Sequence, residues 1–202
     1  LMDVWELPKS LIVCGKEHKI RTDFREIVDI LRAFNDPELN DTDKILTMID
    51  ILYTDIEIVE NMGTIYVLSN GKPLSQEEVT EAIQKGVEFI DAGTEGDNKP
   101  KPRIMDWEQD APLIFPSVNK MIGHDVRAMK YMHWWTFLGY FMEIPDGTFL
   151  QVINIRQKKN SKSKMEKWEK KFYNENRKLC DLDKRFSKEE QEERDKLNKM
   201  LG

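Results

Sequence analysis

Few side chains in this 202-residue chain could do chemistry. There are three histidines, and two of them, His124 and His133, lie near Asp106, Asp110 and Asp125 in sequence. Asp106 and Asp110 are spaced i, i+4. On a helix this sets both carboxylates on one face, as proton transfer or metal binding by paired acids requires. The pattern goes no further. No H-E-x-x-H, no Cys/His cluster and no second carboxylate pair completes a metal site. Asp106 opens the run Asp106-Trp107-Glu108-Gln109 and reads better as a helix cap. Nucleophilic chemistry has no better footing. G-x-S-x-G and phosphate-cradling glycine loops are missing, and Cys14 lies in a strand-like apolar context that suits an inert thiol. The residues predict no enzyme, no cofactor and no metal.

Non-covalent chemistry is better represented. The stretch MKYMHWWTFLGYFMEI, residues 129–144, places two of the five tryptophans side by side. It is too short to span a bilayer, which takes about 20 apolar residues. It is bounded by Lys130 and Glu143. Read as one helix, it carries Tyr131, Trp134, Trp135, Leu138, Phe141 and Met142 on one face, with Phe137, Tyr140 and Ile144 opposite. Helices apolar nearly all round are usually buried and central. A partner contact competes with that reading, since aromatics and Met concentrate at interface centres; a ligand pocket is the weakest alternative. Further along, residues 156–177 hold nine Lys or Arg, among them Arg156, Lys158, Lys159 and Lys164, with Trp168 and Phe172 interleaved. Such a run could meet phosphates. The plainer reading is a solvated helix with its aromatics turned to the core, because the acidic remainder of the chain repels a polyanion. Trp134, Trp135, Trp168 and Phe172 are therefore the candidate partner-binding residues. Arg156, Lys158, Lys159 and Lys164 are the candidate basic surface.

These residues need elements to hold them. The opening SLIVCGKEHKI reads as a hairpin, with Leu11 to Cys14, a Gly15-Lys16-Glu17 turn, then His18 to Ile20. Asp23-Phe24-Arg25-Glu26 is a D-x-x-E box opening a helix with Phe24, Ile27, Ile30, Leu31 and Phe34 on one face, stopped by Asp36-Pro37. A second helix starts at Asp41. A third starts at Ser75, with Glu78 completing a capping box, and ends before Gly93. Between them TIYVLSNGKP is ambiguous between strand and loop. Gly93 to Arg103, GTEGDNKPKPR, reads as a linker. It divides an acidic region over 1–95, hairpin plus helices, from a helical region over 104–202, with 96–103 as the linker itself. Pro112 and Pro116 predict a next helix that begins late or kinks. Periodicity does not resolve Phe149 to Ile155. Two amphipathic helices close the chain, the first carrying Met165, Trp168, Phe172 and Leu179, the second capped at Ser187. The expected class is mainly α and bundle-like, with one small N-terminal hairpin.

Composition agrees. The chain is 40% hydrophobic and 34% charged, enough to bury a core while leaving solvated segments. The net charge of −6 conceals opposed halves: residues 1–100 carry 10 Lys and Arg against 21 Asp and Glu, and residues 101–202 carry 21 against 16. Mutual docking or two different partners follow from such asymmetry. Two distant cysteines fit a reducing compartment. Glu6, Pro8 and Lys9 stand where a signal peptide would be apolar.

The segments DWEQDAPLIFPSVNKMIGHDVRAMKYMHWWTFLGYFMEI, TFLQVINIRQKK and KMEKWEKKFYNENRKLCDL, with LPKSLIVCGKEHKIRTDFR at the start, resemble the phage gene-product-fifteen family of Gram-positive phages and prophages. The likeness is weakest over 55–100, and Cys14 is foreign to the pattern. Members lie among tail morphogenesis genes. The resemblance implies a tail assembly chaperone in the host cytoplasm, absent from the mature virion, that holds the tape-measure protein and meets the major tail protein. A homo-oligomer fits, and nucleic acid and membrane do not. The alternatives are a minor structural virion or tail-completion component, or a nucleic-acid-binding accessory protein.

Overall fold

The computed structural model describes residues 6–94 and 102–201. The fold is mainly α with a small N-terminal hairpin, as expected. In chain order the elements are β1 (Ser10–Val13), β2 (Lys16–Lys19), α1 (Phe24–Phe34), α2 (Asp41–Leu52), β3 (Ile56–Asn61), β4 (Thr64–Ser69), β5 (Lys72–Pro73) and α3 (Gln76–Ile90). Then come α4 (Ala111–Ile122), a 3-10 turn (Val126–Ala128), α5 (Trp134–Met142), α6 (Thr148–Asn160), α7 (Lys167–Glu175), α8 (Arg177–Cys180) and α9 (Lys188–Leu201).

The strands form two antiparallel sheets, β1-β2 and β3-β4-β5. Each of their three hairpins turns on two residues, Cys14-Gly15, Met62-Gly63 and Asn70-Gly71, with φ positive at both positions. This is the backbone that matches the twist of paired strands. The first turn is thus Cys14-Gly15, one residue earlier than expected, and Lys16 already pairs with Val13. The ambiguous TIYVLSNGKP is β4, its turn and β5. Met62 is fully exposed at the hairpin tip, and Ile65 and Tyr66 are exposed along β4.

The contacts separate two compact units. One holds the described residues up to 94, together with His133–Trp135 and those from 185 onward; the other holds 102–132 and 136–184. The aromatic pair and the final helix group with the N-terminal unit. The linker expected over 96–103 falls mostly outside the described residues.

In the first unit, α1, α2 and α3 bury Ile27, Ile30, Met48, Ile49, Leu52 and Phe89. Asp23 caps α1 by accepting from Arg25 N, and Ser75 and Glu78 form the expected capping box on α3. α3 packs tightly on α2 at Gly86, where a Cβ would stand 3.0 Å from Leu52 Cδ2 and 3.3 Å from Met48 Cε. Tyr53 donates its hydroxyl to Ala82 O at 2.7 Å. Its pKa is raised by burial.

In the second unit, Val152, Ile155 and Cys180 form a cluster joined by Leu113, Met165, Phe172 and Tyr173. A train of rings, Trp107, Phe141 and Phe149, runs alongside at centroid spacings of 5.1 and 5.6 Å. Residues 149–155 are helical, part of α6. The helix after Asp106 begins late, at Ala111, with Pro112 in its first turn and Pro116 tolerated inside. Leu179 lies on α8, a separate short helix, not on α7.

Candidate interaction surface

The aromatic segment is not one long helix. Tyr131 and Met132 precede α5, His133 bridges to Asp23 in an extended pairing, and only nine residues are helical. His133 acts as the cap: Trp135 N–H donates to its Nδ1 at 3.1 Å, and its Nε2 faces the Pro8 carbonyl at 3.0 Å. A carbonyl can only accept, so the proton sits on Nε2 and the ring is neutral. Burial lowers the His133 pKa, an effect reinforced by Lys9 and opposed by the Pro8 bond.

The two tryptophans stand on the end of α3. Trp134 is 2% exposed and donates Nε1–H to Ile90 O at 2.8 Å. Trp135 donates Nε1–H to Phe89 O at 2.8 Å and stacks on the Phe89 ring at 5.9 Å. The last carbonyls of a helix lack partners within it; here Trp134 supplies one to Ile90 O, and Trp135 joins Ala92 N on Phe89 O. In this arrangement the pair serves the core of the first unit.

Arg156 does not belong to the basic surface. It is 3% exposed at the centre of the second unit, and its five N–H groups meet five acceptors. Nε donates to Cys180 O at 3.0 Å; Nη1 to Ile104 O at 3.1 Å and Asp110 Oδ2 at 2.6 Å; Nη2 to Asp110 Oδ1 at 2.9 Å and Leu179 O at 2.6 Å. The planar fork of Arg suits this bidentate geometry, and Lys could not replace it. Asp110 also accepts from Asp106 N at 2.9 Å, and Asp106 caps its own turn through Glu108 N and Gln109 N. The i, i+4 carboxylates are therefore a cap and a counter-ion. Among the described residues, no group of His, Cys, Asp and Glu is arranged to hold a metal.

The rest of the basic run is partly spent in the same way. Lys158 Nζ reaches both oxygens of the buried Glu169 at 2.6 and 2.7 Å. Lys159 donates to Asp181 and to Tyr173 Oη, and lies 4.4 Å from the Tyr173 ring centroid. Burial works against the Lys159 charge, but these bonds hold its pKa above the ordinary value. A cleft of about 440 Å³ beside Cys180 is lined by Arg103, Arg156, Lys159, Lys184 and Asp181, among others. Arg103 meets Asp106 and the Asp183 carbonyl. Three of the four cations around the cleft thus already have anionic partners, which leaves little for a phosphate.

What remains exposed is on and before α7. Trp168 is 56% exposed, flanked by the exposed Lys164, Lys167 and Lys171. Lys171 makes a long ion pair of 3.9 Å to Glu175. Phe172, one turn on from Trp168, is half-buried against Val152, Ile155 and Cys180. Of the four aromatic candidates, Trp168 alone presents most of its ring. Cys14 is exposed too, but its amide and thiol both donate to Glu81 Oε2, at 2.8 and 2.9 Å. The Glu81 bond pushes the thiol up to about 11, which keeps it unreactive.

The model of the Bacteriophage Gp15 protein family matches residues 5–182. The chain belongs to this family. No curated protein and no solved structure matches it. The Gp15 match covers most of both compact units and leaves out the stretch leading to α9 and that helix itself. No described helix of this Gp15 protein is long and apolar enough to cross a membrane. Sequence reasoning missed three features of the site: the His133 cap, the indole caps on α3 and the burial of Arg156. Only the last had a signal, since Arg156 continues the i, i+3, i+7 stripe of Phe149 and Val152.

Proposed function

We propose that this Gp15 protein is a non-catalytic tail assembly chaperone. It works in the host cytoplasm, holds the amphipathic helices of its phage's tape-measure protein in solution while the tail tube assembles, and leaves before the virion is complete. The observation that carries the reading is Trp168, a large aromatic left mostly exposed among Lys164, Lys167 and Lys171 in a member of a phage family. An aromatic anchor ringed by charge suits capture of an amphipathic helix. Phe172 supports the fold beneath this surface, and Trp134 and Trp135 serve the core of the first unit.

Co-expression with the tape-measure protein is the test. Trp168→Ala should lower the soluble fraction of the client while leaving the circular dichroism of this chain unchanged. Adding Phe172→Ala would cut into the core and confuse the result. Mass spectrometry of purified particles should find little of this chain; stoichiometric copies in mature tails would instead make it a structural or tail-completion component.

A further inference from the structure

Helix α9 has no visible reason to stand alone. It runs 14 residues, and every side chain described on it, 188–200, is exposed. Its start is fixed by a Ser187–Glu190 capping pair and by Lys188 N donating to Glu38 Oε1 at 2.6 Å. Beyond that, its side-chain contacts are a Gln191–Asp195 hydrogen bond and Arg194 lying 4.1 Å from the Phe186 ring centroid. Isolated helices of this length are marginal in water. The helix also lies outside the stretch, 5–182, that matches the Gp15 family.

Its surface is organised. At 100° per residue, Glu189, Glu190, Glu193, Leu197 and Met200 share one side, edged by Lys196 and Arg194, while Lys188 and Lys199 lie opposite with Glu192 and Asp195. Leu197 is 56% and Met200 83% exposed. This side therefore offers carboxylates first and apolar groups one to two turns later. The α7 surface offers the converse on balance, with Lys164, Lys167, Lys170 and Lys171 around or beside the exposed Trp168 against two exposed acids, Glu166 at the cap and Glu175. Each surface is open to a second copy of the chain.

We propose that α9 of one copy docks on the α7 surface of another, its glutamates against Lys164, Lys167 and Lys171 and its Leu197–Met200 ridge against Trp168. The contact joins two different surfaces, so it closes either as a reciprocal exchange between two copies or as a ring. It goes beyond the chaperone reading but uses the same Trp168 surface, so α9 and the client would compete for it; the two readings are told apart because self-association is measured on this chain alone and client binding by co-expression.

Light scattering across the micromolar range with the full chain is the test. The wild type should self-associate, less so at high salt. Reversing Lys164, Lys167 and Lys171 to Glu should weaken association by at least about tenfold, and so should reversing Glu189, Glu190 and Glu193 to Lys. Mixing the two variants should restore it, because both contacts become complementary again. Circular dichroism should show both variants folded. A wild type that stays monomeric throughout, or variants that fail to rescue each other, overturns the proposal. So does association lost in Leu197→Asp but indifferent to both charge reversals, which would mean α9 pairing with α9.

Discussion

The Arg156–Asp110 pair offers the sharpest test of how the second unit is built. Asp110→Ala removes both carboxylate oxygens at once. Arg156 then keeps its charge at 3% exposure with three backbone carbonyls as its remaining partners, and Asp106 N loses its acceptor. Breaking a buried pair from one side costs about 3–5 kcal/mol. Arg156→Met strands the Asp110 carboxylate and also removes the donor from Ile104 O, Leu179 O and Cys180 O. A buried acceptor left unmet costs about 1–3 kcal/mol, so this variant should fall at the upper end or beyond. The double variant strands no charge. It should be less destabilised than the sum of the two by roughly 2–3 kcal/mol, yet stay well short of wild type because the three carbonyls are still unmet. Urea titrations followed together by far-UV circular dichroism and tryptophan emission give the values, with coincidence of the probes as the check on cooperativity. Additivity of the two single variants within about 0.5 kcal/mol, or an Asp110→Ala cost below about 1 kcal/mol, would refute the reasoning.

Other perturbations follow from the same contacts. The folded state holds the His133 pKa below its ordinary value, so unfolding takes up a proton. Stability should be full above about pH 6.5, fall as pH drops from there through the folded pKa, and level off below it; thermal melts should show His133→Gln losing part of this dependence. Trp134→Ala should cost about 3–5 kcal/mol in urea melts, and Trp135→Phe, which keeps the stack on Phe89 but loses one hydrogen bond, about 1 kcal/mol. Gly86→Val drives methyl groups into Leu52 and Met48 and should cost about 1–3 kcal/mol; a variant as stable as wild type would mean α2 and α3 can part freely. Gel shifts at low salt should show no sub-micromolar DNA binding, and binding abolished by reversing Lys158, Lys159 and Lys164 would contradict the internal pairing seen for the first two.

Local rules read the helices of the first unit well. Asp23 and Ser75 announced α1 and α3 because capping is a short-range bargain between neighbours. The sheet β3-β4-β5 was harder. Asn70-Gly71 is a strong turn signal, but Met62-Gly63 is not, and without the first hairpin the second lacks a strand to follow. The aromatic run hid its own start. Histidine is not among the usual caps, and no periodicity separates Tyr131 and Met132 from the helix after them. The indole bonds to Phe89 O and Ile90 O join residues 44 and 46 apart, beyond any local pattern.

Charge shows most clearly why position matters more than composition. The basic run from Arg156 to Arg177 looked like one cationic stripe. Folding sorts it by reach. Arg156, on the buried side of α6, closes on Asp110; Lys158 and Lys159, at the end of the same helix, meet Glu169 and Asp181. The exposed lysines nearest Trp168 in sequence, Lys164, Lys167 and Lys171, meet no buried acid, and Lys171 has only the long pair to Glu175. Exposed cations stabilise a fold little, and an exposed indole contributes little to a core it does not enter. On the proposals made above, their coincidence on and just before one short helix serves a partner: an amphipathic helix with acids beside an apolar ridge. The chain itself carries one such helix in α9, and the proposed client supplies others.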